Sequence, residues 1–373
     1  MKGLEDIWWP PSEGKGAGPL LAALAAGEVL FRGAVAARAA LYRLGIAHAA
    51  RAEVPVVSIG NLAVGGAGKT PVALEVATRL KAKGWKVAVL SRGYGARRKD
   101  ARIVTRGGDP LLSAADAGDE PLILARRLPG CFVLCGPKRT LLARMAVHAL
   151  GAEVLVLDDG FQHRSLARDL DIVVLDATDP YGNGHLLPRG PNRESPRALG
   201  RAQLAWLTRV DRASPETLGS LRETACKVTG RAPVESRHEV VDVLDGLLGR
   251  SLGRGALKDR GTLLLCALAR PGSFRATAAG LGAKVLCERV FRDHHLFTED
   301  EVNEALRAAE AAGCEVVATT EKDAVRLPAR LAGDARFRVV RIDAQVVGGG
   351  AVLDGLLEEV MRTRKREGLA ILP

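Results

Sequence analysis

The stretch 58–71 constrains the fold more than any other part of the chain. An apolar run, 54–59, predicts a buried strand directly before a loop of small residues. The residues that follow are Gly65, Gly66, Ala67, Gly68, Lys69, Thr70 and Pro71. Proline is favoured in the first turn of a helix, so we expect a helix to begin here. A strand, a glycine-rich loop and a helix in this order are typical of a phosphate-binding P-loop.

Each part of this loop has an expected role in holding a nucleotide. The backbone N–H groups of residues 65–68 and the positive end of the helix would hold the phosphates. Lys69 would reach the outer phosphates, and Thr70 would bind Mg²⁺. The strict pattern has glycine where this chain has Ala63, and alanine is small enough to keep the loop viable. The alternative interpretation is a glycine-rich turn that binds no ligand.

Short apolar strands alternate with helical patterns along the rest of the chain, which predicts a parallel sheet with helices on both faces. A chain of 373 residues exceeds the usual size of one core, so two domains are expected. We place an N-terminal helical segment at 1–50, a P-loop domain at 51–220 and a second, smaller α/β domain at 221–373. The boundary falls within an apparent break at 212–235.

Charge and cysteine content narrow the function classes. The formal net charge is +11, and the stretch 92–144 holds eleven basic residues against five acidic ones. Such a cluster indicates an anionic substrate, an anionic membrane surface or nucleic acid, or else a solvated surface without a ligand. No RNA-binding aromatic motif, helix-turn-helix signature or zinc finger accompanies it, so we expect no nucleic-acid partner. Six scattered cysteines fit a reducing, cytosolic setting.

The N-terminal segment has the composition of a membrane-surface helix. It opens with Trp8-Trp9-Pro10-Pro11, and from Pro19 to about Gly45 it is helical in pattern and strongly apolar. Its charged residues occupy one arc of about 140° at 100° per residue. They are Glu28, Arg32, Arg38 and Arg43. We expect an interfacial helix with this arc toward water and the apolar side toward lipid, or alternatively a core helix.

Acidic residues at predicted strand and helix ends are candidates for chemistry. Asp158 and Asp159 follow the apolar strand 154–157, where a P-loop enzyme positions Mg²⁺. Gln162 and His163 come soon after and would orient a phosphate or a nucleophile. Asp119 directly precedes a helix, so it is either a helix cap or a base for a hydroxyl nucleophile.

Two further motifs lie in the second half. Asp293, His294 and His295 precede a helix capped by Thr298 and Glu301. Adjacent histidines rarely share one metal, so a base-orienting or phosphate-contacting role is favoured over a metal site. The stretch 320–323 predicts a capping box or a contribution to a cleft between domains.

The motifs of two other classes of P-loop protein match the sequence only in part. A translational-type GTPase would have Asp where Leu157 stands, although 208–211 resembles a degraded guanine-reading motif. Partition-type ATPases place a lysine at the position of Val64. The alternative that stays open is a membrane-associated regulatory or partition-type P-loop NTPase.

Six motifs in one order resemble the tetraacyldisaccharide 4′-kinase (lipid A 4′-kinase) family over about residues 15–340. They are Gly60-Asn61 with Gly65–Pro71, Ser91-Arg92-Gly93-Tyr94-Gly95, Gly118-Asp119-Glu120-Pro121, Asp158-Asp159-Gly160-Phe161-Gln162-His163-Arg164, Asp293-His294-His295 and Thr320-Glu321-Lys322-Asp323. The resemblance implies phosphorylation of the 4′-hydroxyl of a tetraacylated glucosamine disaccharide 1-phosphate by ATP and Mg²⁺. It also implies a location at the cytoplasmic face of the bacterial inner membrane, with the site in a cleft between two domains. No obligate protein partner is evident.

The resemblance also assigns roles. Asp119 is implied as the base for the sugar hydroxyl, assisted by His294 in preference to His295. Lys69 and Asp159 complete the catalytic set, and Gln162 joins 65–70 in binding the nucleotide. The expected metal ligands are Thr70, Asp158, Asp159 and Glu120. The expected substrate contacts are Asn61, Arg92, Tyr94 and His163.

Overall fold

The computed structural model describes residues 7–8, 18–246, 249–268, 271–328, 330–331 and 334–370. Trp9, Pro10 and Pro11 of the predicted N-terminal motif lie outside them. The chain forms two compact units. We call Met1–Arg92, Lys138–Arg237 and Ala344–Pro373 the P-loop unit, and Gly93–Pro137 with His238–Asp343 the second unit. The contiguous segments 1–50, 51–220 and 221–373 therefore do not coincide with these units, because each unit draws on separate parts of the chain.

Strands and helices alternate along most of the chain. The strands are β1 (Val56–Asn61), β2 (Val87–Ser91), β3 (Arg102–Arg106), β4 (Phe132–Cys135), β5 (Val154–Asp158), β6 (Leu170–Asp176), β7 (Leu204–Thr208), β8 (Val234–Asp245), β9 (Gly261–Cys266), β10 (Lys284–Val290), β11 (Val316–Thr320) and β12 (Phe337–Gly348). The helices are α1 (Pro19–Arg43), α2 (Lys69–Ala82), α3 (Ala114–Ala117), α4 (Asp119–Arg127), α5 (Arg139–Leu150), α6 (Pro215–Thr229), α7 (Pro271–Gly280), α8 (Glu299–Ala311), α9 (Glu321–Ala324) and α10 (Gly350–Ala370). Two short 3₁₀ helices are Pro196–Arg201 and Arg254–Leu257.

The P-loop unit is built on a parallel sheet with strand order β8-β7-β6-β1-β5-β2. All residues of β1, β5 and β7 are buried, which explains their continuous apolar runs. Because the strands are parallel, their carboxyl ends meet at one edge of the sheet. Asn61, Asp158 and Asp176 end three neighbouring strands at that edge. The fold therefore places the P-loop and the acidic pair side by side.

The second unit contains a parallel arrangement in the order β10-β9-β11-β12 and an antiparallel pair, β3 with β4. Alternate residues of β9 contribute to two separate cores. Leu263 and Leu265 pack with α8, whereas Leu264 and Cys266 pack with α7. Side chains alternate between the faces of a strand, so helices cover both faces here too. The predicted α/β fold is confirmed.

One helix of the fold was not expected from the sequence. The apparent break at 212–235 contains the regular helix α6, whose first backbone N–H groups are capped by the Ser214 side chain. Pro215 in the first turn is the second start signal. The helix was missed because its exposed face is charged and only a narrow side is buried, at Leu221 and Ala225.

Helix α1 contacts the rest of the P-loop unit through Glu28 and Arg38 of its polar arc. The Glu28 side chain is about 5% exposed, and its Oε1 accepts a hydrogen bond from the backbone N–H of Leu186 at 3.2 Å. Farther along the helix, Arg38 donates to the backbone oxygen of Gln162 at 2.9 Å. A Cβ at Gly27 would lie 2.9 Å from Pro188, so glycine permits this close approach. Glu28 is therefore buried against the protein, where it satisfies a backbone N–H, whereas the three arginines of the arc are exposed.

Candidate active site

The phosphate-binding loop connects β1 to α2 in the P-loop unit. Gly65 and Gly68 have φ values of 101° and 87°, in the left-handed region that favours glycine. A Cβ at Gly66 would meet no atom of the described structure within 4 Å, so its backbone is open to a ligand. Ala63 pairs with Asn192 in an isolated bridge, so alanine at this position fits an extended backbone. The loop therefore has the shape that the sequence predicted.

Asp159 lies between two cations at the edge of the sheet. Its carboxylate is 3.6 Å from Nζ of Lys69, and both of its oxygens accept hydrogen bonds from Arg193 at 2.9 Å. Burial acts to raise the pKa of Asp159, but the charges of Lys69 and Arg193 outweigh it and lower the pKa to about 2. The group is therefore a carboxylate at any physiological pH, as a metal ligand or a partner of Lys69 must be.

Arg193 is a residue that the sequence did not indicate. It lies in the stretch 180–197, which reads as an irregular loop rich in Gly, Pro and Arg. The structure holds this loop against the P-loop: Val64 N–H donates to Pro191 O at 2.8 Å, and Arg193 N–H donates to Leu62 O at 2.7 Å. No local pattern could reveal this role, because it depends on packing between segments about 130 residues apart in the chain.

Asp158 ends β5 and is 1% exposed. Its side chain accepts a hydrogen bond from the Ser91 hydroxyl at 3.4 Å, and its backbone oxygen accepts one from the buried Arg139 at 3.3 Å. Asp159 then turns with a φ of 57°, which a non-glycine residue rarely adopts. This turn directs the two adjacent carboxylates differently. Backbone outliers of this kind cluster at functional sites.

Gln162 and His163 follow on the same turn. The Gln162 amide donates to the backbone oxygen of Asn61 at 3.0 Å, so it braces the end of β1. His163 lies near the positive charges of Arg139 and Arg92. Burial, followed by these two charges, lowers the pKa of His163 to about 4. A neutral His163 among arginines marks a region of positive charge where an anion is favoured.

The residues at this edge fit a nucleotide with Mg²⁺. The Asn61 side chain is 1% exposed, and its Nδ2 and Oδ1 find no hydrogen-bond partner among the described residues. A buried polar group without a partner is costly, which indicates a ligand at this point. No group of three or more His, Cys, Asp or Glu in the described chain could hold an ion unaided. Mg²⁺ held by Thr70 and one or two carboxylates would need phosphate oxygens and water, as is usual for this ion.

A second constellation forms in the second unit around Asp119. This residue begins α4 and is 4% exposed. Its Oδ1 accepts the backbone N–H of Glu120 at 2.9 Å, and its Oδ2 lies 2.9 Å from Nδ1 of His294. Burial acts to raise the pKa of Asp119, but the hydrogen bond with His294 and the charges of Lys322 and Arg326 hold it below its usual value. Asp119 is therefore an ionised, oriented acceptor.

The two adjacent histidines have different partners. His294 has a φ of 61° and contacts Asp119. Nε2 of His295 instead lies 2.9 Å from Glu301, in the capping box of α8, and its ring stacks on Phe291 at 4.8 Å. The structure thus places His294 at the predicted base and His295 in a packing role.

Two cations complete this second constellation. The ammonium of Lys322 lies 3.3 Å from Nε2 of His294 and 3.1 Å from Asp293. The side chain of Arg326 is 2% exposed and lies 3.8 Å from Asp119. Thr320 caps α9, so the stretch 320–323 is a helix start that also presents Lys322 to the site. Arg326 was not predicted from the sequence, because it lies beyond the end of α9 and outside the 320–323 motif.

The remaining predicted site residues are distributed between the units. Thr70 lies in the first turn of α2, and Arg92 is exposed directly after β2, both in the P-loop unit. Glu120 lies in the second unit, at the second position of α4. Tyr94 is also there, with its ring edge-on to that of His294 at 5.3 Å. The metal role of Glu120 and the substrate role of Tyr94 stay predictions.

The P-loop fold, the paired carboxylates and the oriented acid–histidine pair define a P-loop phosphotransferase. The model of the LpxK family, tetraacyldisaccharide-1-P 4′-kinase, matches residues 20–362. The chain belongs to this family, as its motifs predicted.

Individual relatives agree with this assignment. The chain is 62% identical over 349 residues to the tetraacyldisaccharide 4′-kinase of Anaeromyxobacter sp. (strain Fw109-5), covering 94% of each chain. It is 38% identical over 331 residues to the enzyme of that name from Syntrophus aciditrophicus, covering 86% of this chain and 88% of the relative. The crystal structure of LpxK from Aquifex aeolicus in complex with ATP is similar with a TM-score of 0.75 and 30% identity. That similarity covers 92% of this chain and 99% of the other.

Proposed function

We propose that this protein transfers the γ-phosphoryl group of ATP to the 4′-hydroxyl of a tetraacylated glucosamine disaccharide 1-phosphate. The observation that carries the proposal is the buried, ionised Asp119 held by His294. A nucleotide-binding switch needs no such acceptor, whereas a kinase for an alcohol does. Membership of the tetraacyldisaccharide 4′-kinase family supplies the acceptor class.

Phosphoryl transfer depends mainly on positioning and on neutralising charge. In the P-loop unit, Lys69 and Arg193 flank Asp159 and provide positive charge where phosphate oxygens would lie. Bound Mg²⁺, held by Thr70 with Asp158 or Asp159, would neutralise charge on the phosphates. In the second unit, Asp119 orients the hydroxyl and receives its proton. The sugar oxygen bonds to phosphorus, the bond to the leaving ADP oxygen breaks, and the proton moves to the Asp119 carboxylate.

A direct test combines the full-length protein with ATP labelled at the γ-phosphate, Mg²⁺ and lipid A disaccharide 1-phosphate in detergent micelles. We expect label to appear in the lipid, with no label in an acceptor that lacks the 4′-hydroxyl. Hydrolysis of ATP at the same rate with and without lipid, with no labelled lipid, would favour the regulatory NTPase alternative.

We further propose that α1 lies on the cytoplasmic face of the inner membrane with its apolar side in the lipid. This helix is long and apolar enough to span a membrane, and 6% of its apolar window is buried in the protein. Leu20, Val29 and Leu30 are 58–77% exposed. Glu28 and Arg38, about 15 Å apart along the helix at 1.5 Å per residue, both bind later segments of the P-loop unit. Those two anchors favour a helix lying flat, because a spanning helix would have to release them.

Sedimentation with vesicles of anionic and zwitterionic phospholipid tests this orientation. Leu30→Glu places a charge on the exposed apolar side of α1 and is expected to weaken binding about ten-fold or more, since an unpaired charge in the interface costs more than about 1.4 kcal/mol. Val290→Glu, at an exposed apolar residue of β10, is the matched control and should leave binding unchanged. Equal binding of both variants would contradict the proposed orientation.

A further inference from the structure

The His294 ring lies between two groups of opposite charge. Nδ1 is 2.9 Å from the Asp119 carboxylate, and Nε2 is 3.3 Å from the ammonium of Lys322. Both distances are those of hydrogen bonds, and the two partners come from α4 and α9. Each ring nitrogen therefore has its own partner. One partner accepts a hydrogen bond, and the other donates one.

An ammonium group has three donors and no acceptor, so Nε2 must present its lone pair to Lys322. A carboxylate is an acceptor, so Nδ1 must carry the proton that it shares with Asp119. Both hydrogen bonds therefore require the same tautomer, with the proton on Nδ1. The hydrogen bond at each ring nitrogen influences which nitrogen is protonated, and here Asp119 and Lys322 both favour a proton on Nδ1.

The structure holds Lys322 firmly in this place. Its ammonium is 3.1 Å from Asp293, and its backbone oxygen accepts a hydrogen bond from Arg326 at 2.9 Å. The neighbouring Asp323 is 0% exposed and binds both Thr320 and Arg326. The short helix that presents the lysine is thus fixed by buried polar contacts on both sides.

We propose that Lys322 is a positioning residue that fixes His294 as the Nδ1–H tautomer, so that His294 donates to Asp119 and Asp119 alone accepts the hydroxyl proton. The identity of that hydroxyl rests on the proposed function, whereas the tautomer does not. His294 then serves to orient the carboxylate and cannot take the proton at Nδ1, which is already occupied.

Removing the lysine gives the ring a different partner. Asp293 Oδ2 lies 3.8 Å from Nε2 and would become its acceptor. The proton would then move to Nε2, and the lone pair of Nδ1 would face the Asp119 carboxylate. The remaining neighbours do not oppose this change: the Tyr94 ring lies edge-on to the His294 ring at 5.3 Å, and Arg326 lies 3.8 Å from Oδ2 of Asp119, not at Nε2. Asp119 would keep the Glu120 N–H at Oδ1 but lose the hydrogen bond from His294 that orients Oδ2.

Nitrogen-15 NMR of the full chain labelled at its seven histidines tests the tautomer directly. The His294 signals are assigned by their loss in His294→Gln. We expect protonated Nδ1 in the wild type and in Lys322→Arg, which keeps a donor, and protonated Nε2 in Lys322→Met. A wild-type ring protonated at Nε2 would overturn the proposal without any variant, and so would an unchanged tautomer in folded Lys322→Met.

Kinetics provide the second readout. In Lys322→Met we expect kcat to fall about ten-fold or more while KM for ATP changes less than about two-fold, since an acid–base group typically contributes ~10²-fold or more. Lys322→Arg should recover most of the loss. Lys284→Met, at an exposed lysine of β10, is the control and should match the wild type. A kcat in Lys322→Met equal to that of Lys284→Met would contradict the positioning role. Loss of lipid phosphorylation in the wild type would instead count against the proposed function, leaving the NMR result intact.

Discussion

The phosphate-binding centre and the Asp119 centre differ in how the chain assembles them. The first is built mostly from two short motifs: one loop between β1 and α2 supplies its backbone, and Asp158 and Asp159 lie at the end of the neighbouring strand β5. The second gathers Asp119, His294, Lys322 and Arg326 from segments up to about 200 residues apart. A centre built from short motifs can be recognised in the sequence. A centre that gathers residues from distant segments can be recognised only in the folded structure.

The two centres also have opposite arrangements of charge. In the phosphate-binding centre, one carboxylate separates two cations that would bind phosphate oxygens. In the Asp119 centre, three cationic or donor groups keep one buried carboxylate ionised. The first arrangement is suited to an anionic ligand, and the second to accepting a proton. The predictions that follow test whether the centres have these separate tasks.

The largest effect is expected at Asp119. Asp119→Asn removes the proton acceptor, so kcat should fall about 10³-fold. ATP affinity should stay within about two-fold of the wild type, because the P-loop lies in the other unit. Single-turnover transfer and ATP titration measure the two quantities. Asp109→Asn, at an exposed residue of the second unit, is the control. A large loss of ATP affinity in Asp119→Asn would break the proposed division of tasks.

Arg193 should have the next largest effect. Arg193→Met removes the cation that holds both oxygens of Asp159, and we expect kcat to fall about 10²-fold, as when one charge-stabilising donor is removed. The exposed Arg197 gives the matched variant Arg197→Met, which should retain activity. If both variants keep wild-type kcat, Arg193 has no place in the phosphate-binding centre.

His163 should affect the pH dependence of stability. Its pKa of about 4 in the folded state lies below the usual 6.5, so the unfolded chain binds more protons between these values. Its contribution to stability is full above pH 6.5 and is lost as the pH falls through 6.5 toward 4. The loss should reach about 2 kcal/mol in the nucleotide-free protein. Urea unfolding of His163→Asn should show a flatter pH profile; an unchanged slope would exclude this source of acid sensitivity.

The smallest effect concerns the anchor of α1. Glu28→Gln weakens the contacts with Arg32, His185 and Arg189 and should lower the free energy of unfolding by about 1–2 kcal/mol at pH 7. Burial acts to raise the pKa of Glu28, but the Leu186 N–H and Arg32 hold it below its usual value. The stabilisation is therefore present above pH 4.5 and is lost as the pH falls below it. Glu223→Gln, on the exposed face of α6, should cost almost nothing.

The difference between the two centres explains which features of the fold and site could be predicted from the sequence. The P-loop, the strand-end carboxylates and the alternating α/β pattern depend on short-range signals, and the fold class and family are confirmed. His294 and His295 could not be distinguished from spacing, because a backbone φ of 61° and the position of Glu301 give them different partners. The periodicity of α1 located its polar arc but could not show that Glu28 within it is buried. The role of Arg193 could be recognised only from the structure, in which the 180–197 loop packs on the P-loop.

The proposed function requires that the phosphate-binding centre and the Asp119 centre act on one phosphoryl transfer step. Single-turnover transfer of labelled phosphate to lipid A disaccharide 1-phosphate by Lys69→Met, Asp119→Asn and the double variant tests it most directly. Residues that act as a unit are not additive, so the double variant should lose little more than the worse single variant. Losses that add fully on a logarithmic scale, or transfer at the wild-type rate by either single variant, would contradict the account.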